Sequence, residues 1–234
     1  MDYFYTSPEN IEKKKIIIDA QEFKHLTHVM RKKEGDFIRV VDGKGNAYDV
    51  ILKEISAKKA IGEITGKYSH HNEPSLSVTL GIGILKNPSK FDFLVEKVTE
   101  IGVNNIIPLI TARTIPSHAK IDRWQKLALS AMKQCGRSYL PQIHELIKLP
   151  EFLQFYTDYD LKLVAHQEGN EINKIESFLK SSVKSAVMLI GPEGGFEENE
   201  IERCIQSGFV KVSFGCRRLR TETAAIVAAT SILL

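Results

Sequence analysis

The chain has 234 residues, enough for one large domain or for a small and a medium one. Hydrophobic residues make up 43% and the formal net charge is only +3, which excludes a disordered chain and a polycation; any basic patch must be local. No stretch approaches the roughly 18 uninterrupted apolar residues of a membrane span. The Met1-Asp2-Tyr3-Phe4 start lacks the basic flank and apolar core of a secretory signal, and Cys135, Cys204 and Cys216 form no CxxC pair, so a reduced, cytoplasmic, metal-free protein is expected.

Residues 1–68 are strand-rich: 16–18, 37–41, 48–51 and 60–64 are short apolar or alternating runs. Gly35-Asp36, Asp42-Gly43-Lys44-Gly45 and the polar residues 56–59 separate them. Between the first two runs, residues 21–31 carry helical spacing through Phe23, Leu26, Val29 and Met30. Several strands and one helix in this length predict a small β-barrel over 1–70. The polar, proline-terminated stretch 68–74 is the expected linker, with His70 and His71 solvated.

From residue 76 strands and helices alternate, which predicts a parallel sheet in an α/β domain over 74–234. Strands are expected over 76–85, 103–110, 161–165, 187–190 and 209–214, and helices over 87–101, 121–135 and 171–180. Asn87-Pro88 opens the first helix and Gly102 stops it, with Phe91, Leu94, Val95, Val98 and Ile101 on one face. Glu197-Glu198-Asn199-Glu200 loads carboxylates onto a further helix start. Thr221 is expected to cap an alanine-rich helix, and residues 224–234 are apolar nearly all round, so they need burial by their own domain or by a partner subunit.

Two segments promise a ligand site. Strand 187–190 runs into Gly191-Pro192-Glu193-Gly194-Gly195-Phe196, and strand 209–214 runs into the basic loop 215–220. Two adjacent strands ending in glycine-relieved loops expose backbone N–H and C=O groups at the carboxyl edge of a sheet. No GxGxxG follows the first strand, and neither GxxxxGK[ST] nor GxSxG occurs, which disfavours dehydrogenase, P-loop and α/β-hydrolase chemistry. His25 and His28 share a helix face without a third metal ligand.

Several blocks together resemble the RsmE family of ribosomal RNA methyltransferases, in the SPOUT superfamily, over nearly the whole chain. His25-Leu26, Val29-Met30-Arg31, Gly35-Asp36 and Asp42-Gly43-Lys44-Gly45 are similar to the family's HLxxVLRxxxGD and DGxG. Lys86, Glu96-Lys97-Val98-Thr99-Glu100-Ile101-Gly102-Val103, Pro108, Arg113, Trp124, Gln134-Cys135-Gly136-Arg137 and Pro141 follow in family order. Residues 191–196 and 219–224 are close to its GPEGGF and LRTETA. The chain departs from the family in having Asp2-Tyr3 where an arginine is common, Lys133 where an acid often precedes Gln134, and a more basic Cys216-Arg217-Arg218.

The resemblance implies a PUA-like β-barrel that grips RNA, a SPOUT α/β domain with a C-terminal trefoil knot, and a homodimer. It implies methylation of a uridine at N3 in 16S ribosomal RNA, within an assembled or assembling particle, with S-adenosyl-L-methionine (SAM) as donor. Ile190, Gly191, Pro192, Glu193, Gly194, Gly195, Phe214, Gly215, Leu219 and Thr221 are then the cofactor-binding candidates. Arg220 is the candidate for stabilising negative charge on the base, with Glu222 and Glu193 as candidate proton acceptors. Arg31, Lys86, Arg113 and Arg137 are the candidate RNA contacts. A non-catalytic RNA-binding adaptor, or another SPOUT activity such as ribose 2′-O-methylation of tRNA, are the alternatives. The two glycine-rich loops speak against the first, and the DGxG and EKxTEIGV blocks against the second.

Overall fold

In the computed structural model, which describes residues 3–171 and 182–234, contacts divide the chain into two units. One comprises Met1–Glu73 with Leu129–Leu140, the other Pro74–Ala128 with Pro141–Leu234. The grouping of 129–140 with the N-terminal strands has no signal in the sequence.

The N-terminal unit is built on β1 (Tyr3–Tyr5), β2 (Ile11–Glu12), β3 (Lys15–Asp19), β4 (Phe37–Val41), β5 (Asn46–Ile55) and β6 (Lys59–Ser69). They form one sheet ordered β1-β4-β5-β6-β3-β2, antiparallel except for β1 on β4. Alternation turns Ile16 and Ile18, Ile38 and Val40, and Val50 and Leu52 into a core shared with Phe4, Phe23 and Leu26. The Thr6 hydroxyl donates to the Ile17 carbonyl at 2.6 Å, linking the segment after β1 to β3. β5 and β6 outrun the apolar runs expected at 48–51 and 60–64, because their outer residues, such as Lys53, Glu54, Thr65 and Lys67, are polar and leave no hydrophobic signal.

The helix expected over 21–31 is α1 (Ala20–Lys24), which widens into a π turn over His25–Val29. The Met30 N–H reaches back to the His25 carbonyl at 2.9 Å, and Arg31, at φ 51°, ends the run. The Asp42-Gly43-Lys44-Gly45 block is a turn organiser. Asp42 accepts from the Lys44 and Asn46 N–H groups at 2.8 and 3.1 Å and from the Tyr48 hydroxyl at 3.2 Å. Burial and the Asp42 carboxylate push the Tyr48 hydroxyl up to about 12.

Residues 68–74 are only in part the solvated linker expected: His70 is exposed, whereas His71 and Glu73 are tied into the fold. Tyr68 and Ser69 end β6, and half-buried His71 pairs its Nε2 with the Tyr3 hydroxyl at 2.9 Å. Burial, then Arg39, holds the His71 pKa below its ordinary value. Glu73 accepts from the Ser138 and Tyr139 N–H groups at 2.8 Å each and from Arg137 Nη2 at 2.7 Å, with the side chains of Arg137 and Glu73 only 3% and 5% exposed. Lys133, one of the departures from the family, pairs with Glu22 at 2.8 Å. Removing one partner of a buried pair strands the other, so Glu73→Gln is expected to cost about 3–5 kcal/mol in urea denaturation. An unchanged midpoint would show that the pair is not a structural clamp.

The second unit carries a wholly parallel sheet of β7 (Ser77–Gly83), β8 (Asn105–Ile110), β9 (Gln142–Ile143), β10 (Ile147–Lys148), β11 (Leu161–Glu171), β12 (Ser185–Ile190) and β13 (Val210–Ser213). The order is β10-β8-β7-β12-β11-β13, with β9 on β8. Its helices are α2 (Pro88–Ile101), the first part of α3 (Ile121–Cys135), whose residues from Leu129 on belong to the first unit, α4 (Leu149–Phe155), α5 (Glu198–Gln206) and α6 (Thr221–Leu233). Asn87 caps α2 by accepting from the Ser89 N–H at 3.0 Å, and Phe91, Leu94, Val95 and Val98 are buried as their spacing predicts. α6 buries Ala224, Ala225, Ala228, Ala229 and Ile232 and packs on α2, β7 and β12. The short elements β1, β9, β10 and α4 had no sequence expectation. Apart from Glu171, which ends β11, the helix expected over 171–180 lies outside the described residues.

Candidate active site

The two loops singled out in the sequence do meet, but their strands are not neighbours. β11 lies between β12 and β13 and pairs with both. Consecutive strands pair often rather than always, and here an earlier strand occupies the middle place. The middle of β11 therefore contributes Ala165, His166 and Gln167 to the same cavity, residues that carry no glycine signature. The apolar run expected as a strand ends at 165, while β11 runs on to Glu171 with a register shift after Ala165.

The cavity holds about 580 Å³ at the carboxyl edge of the sheet. All ten expected cofactor contacts, Ile190 to Gly195 with Phe214, Gly215, Leu219 and Thr221, line it. The loop after β12 folds as a tight turn in which the Gly195 N–H donates to the Pro192 carbonyl at 2.8 Å. Gly191 is required there, because a Cβ would stand 2.9 Å from the Gly195 carbonyl carbon; Gly195 itself sits at φ +70°. The Glu193 carboxylate accepts from the Lys86 N–H at 3.0 Å, tying this loop to the chain end that precedes α2. Glu197 and Glu200 complete a capping box on α5, and buried Glu200 also accepts from the Ala112 N–H at 2.9 Å.

Thr221 does not cap α6 as expected. Arg220 holds the cap position without a side-chain bond, and the Thr221 hydroxyl donates to the Gly191 carbonyl at 2.9 Å. The residue thus joins the two loops instead of closing its own helix. Arg220 is exposed on the cavity wall. Glu222 is buried at 9% exposure and lies off that wall, with Oε1 3.4 Å from Lys90 Nζ. This position does not suit direct acceptance of a proton from a ligand in the cavity. Glu193, exposed and on the wall, does suit it.

Of the four expected RNA contacts, Arg31 and Lys86 are exposed. Arg113 is exposed and donates from Nη1 to the Gly194 carbonyl at 2.8 Å, so it braces the glycine loop. Arg137 is buried on Glu73, where it offers no surface to a phosphate. Lys90, Arg217 and Arg218 also line the cavity and had not been singled out as site residues. Burial pushes the Cys204 thiol up to about 12, so it cannot act as a thiolate. Among the described residues no group of three His, Cys, Asp or Glu side chains could hold a metal ion. No helix among them is long and apolar enough to cross a membrane.

Comparisons with known proteins agree with this geometry. The RNA methyltransferase domain family matches residues 72–233, and the RNA methyltransferase PUA domain family matches residues 18–65. The chain is 31% identical over 230 residues to the ribosomal RNA small subunit methyltransferase E of Synechocystis sp., covering 97% of this chain and 75% of the relative. A crystal structure of the Neisseria gonorrhoeae ribosomal RNA small subunit methyltransferase E bound to SAM superposes with a TM-score of 0.85 at 32% identity, covering 99% of this chain and 96% of that one. A putative methyltransferase of Legionella pneumophila in complex with SAM gives 0.83 at 26% identity, covering 97% and 95%.

Proposed function

The chain belongs to the ribosomal RNA small subunit methyltransferase E family, and from that membership we infer that it transfers the methyl group of SAM to small-subunit ribosomal RNA. The observation that carries the reading is the cavity at the carboxyl edge of the parallel sheet. Its size, its exposed backbone groups and the open space beside the Gly195 and Gly215 Cα atoms suit a nucleoside-bearing cofactor. Incubation of the purified chain with radiolabelled SAM and small-subunit particles is expected to label the RNA. Label in large-subunit RNA alone, or in none, would sink the reading.

The acceptor we propose is N3 of one uridine. SAM supplies an electrophilic methyl group, so the protein must align the attack and produce a nucleophilic nitrogen; alignment alone is worth roughly 7–11 kcal/mol. Uridine N3–H is weakly acidic, and each unit of acidification needs about 1.4 kcal/mol of preferential anion stabilisation. Glu193 takes the N3 proton, with its Oε1 held by the Lys86 N–H. Arg220 stabilises the charge left on the base. The N3 lone pair forms the bond to the methyl carbon, the carbon–sulfur bond breaks, and its electron pair stays on sulfur. Arg31, Lys86 and Arg113 contact phosphates; Arg137 is left out because it is buried. A net charge of +3 gives modest general attraction to RNA, which favours a shaped ribonucleoprotein particle as substrate.

For the fold we propose a closed PUA-like barrel and a C-terminal SPOUT trefoil knot. The Thr6–Ile17 bond between the segment after the edge strand β1 and β3, next to the other edge of the sheet, supports closure. The insertion of β11 between β12 and β13, with α6 returned to α2 and β7, supports threading. We also propose a homodimer. α6 retains partly exposed Ile226, Val227 and Leu233 beyond its buried face. Light scattering at micromolar concentration is expected to give twice the chain mass, and a stable monomer would defeat this point.

A further inference from the structure

We propose that Lys90 is a second catalytic cation of this site and that Glu222 is its positioning residue; the proposal rests on the uridine-N3 reading above. Lys90, in the first turn of α2, lines the cavity with its side chain 33% exposed and its Nζ 3.4 Å from Glu222 Oε1. Glu222 stands in the first turn of α6, 9% exposed, and its Oε2 is buried without a hydrogen-bond partner in the described structure. A carboxylate there is favoured by the helix N-terminus and by the ammonium, and one left uncompensated in such burial is costly. Glu222 therefore serves Lys90. The ammonium is ion-paired with Oε1 and carries three N–H donors, more than that one contact can occupy.

The guanidinium groups on the wall, of Arg113, Arg217, Arg218 and Arg220, belong to exposed residues. A charge already held in place by a buried partner needs less reorganisation when negative charge appears, and this gives electrostatic catalysis its strength. When N3 loses its proton, the charge spreads over O2 and O4 of the uracil ring. Two oxygens call for two cations: Arg220 meets one and Lys90 the other. Lys90 acts by touching the substrate oxygen, whereas Glu222 acts only through Lys90.

The test is single-turnover methylation of small-subunit particles at saturating SAM, followed against pH, with calorimetry of S-adenosylhomocysteine binding and a melting curve as controls. Lys90→Met is expected to slow the step about 100-fold. It should also move upward the pH at which the rate levels off, because the bound uridine becomes harder to ionise. Its affinity for S-adenosylhomocysteine should stay within about twofold of wild type. Lys90→Arg should recover much of the rate. Glu222→Gln should slow the step less and add nothing in the Lys90→Met background, since its effect passes through the ammonium. A wild-type rate and pH profile for Lys90→Met overturns the proposal. So does a loss confined to cofactor affinity, or an additive loss in the double variant. A wild-type protein that leaves N3 unmethylated overturns the underlying reading instead, and that result is seen before any variant is compared.

Discussion

Gly194→Asp is expected to lose S-adenosylhomocysteine binding by at least about 100-fold, or about 2.7 kcal/mol, while the protein still folds. A Cβ at this position would stand 3.1 Å from Arg113 Cβ, and Arg113 donates to the Gly194 carbonyl at 2.8 Å. The new carboxylate would draw that guanidinium across the wall and add an anion among loop groups arranged for the cofactor. Gly191→Ala should be as harmful by another route. Its Cβ would press on the Gly195–Phe196 backbone, which cannot rotate away as a side chain can, and would disturb the carbonyl that Thr221 binds. Calorimetry on variants with normal melting curves decides the matter. Wild-type affinity in Gly194→Asp would remove this cavity as the cofactor site.

Arg220→Ala is expected to lower the single-turnover rate by about 10²–10³ at saturating SAM and RNA, with cofactor affinity nearly unchanged. Only a contact that strengthens in the transition state survives as a rate effect once both substrates are bound. Arg31→Ala should behave differently. The exposed arginine at the end of the π turn would weaken RNA binding and reduce its salt slope by about one, without slowing the step at saturating RNA. A normal rate for Arg220→Ala would return that residue to the surface and leave Lys90 as the cation to pursue.

The parts of this molecule legible in the sequence were those with a local cause. Asn87-Pro88 and Gly102 bounded α2 because caps and stops act within a few residues. The Glu197/Glu200 pair marked the start of α5 for the same reason. The glycines at 191, 194, 195 and 215 pointed to the cavity because close contacts at 191 and 194 and positive φ at 195 and 215 disfavour a side chain. What stayed hidden depends on partners distant in sequence. Nothing near Glu73 announces that it will be buried against Arg137, 64 residues on. Nothing near Lys90 announces that Glu222 will hold it, and its lysine reads as any exposed helix residue. Thr221 shows how a correct local signal can mislead. A threonine at a helix start is a good cap, yet here α6 begins at Thr221 itself, Arg220 takes the cap position, and the Thr221 hydroxyl donates to the distant Gly191 carbonyl.

Methylation at uridine N3 leaves one chemical product, N3-methyluridine. Nucleoside mass spectrometry of small-subunit RNA, taken from cells with and without the gene and again after treatment of the deficient particles with the purified chain and SAM, tests it most directly. N3-methyluridine absent from the deficient strain and restored by the protein is the expected result. Unchanged N3-methyluridine in the deficient strain, or a methyl group restored on a ribose oxygen instead, would contradict the assignment.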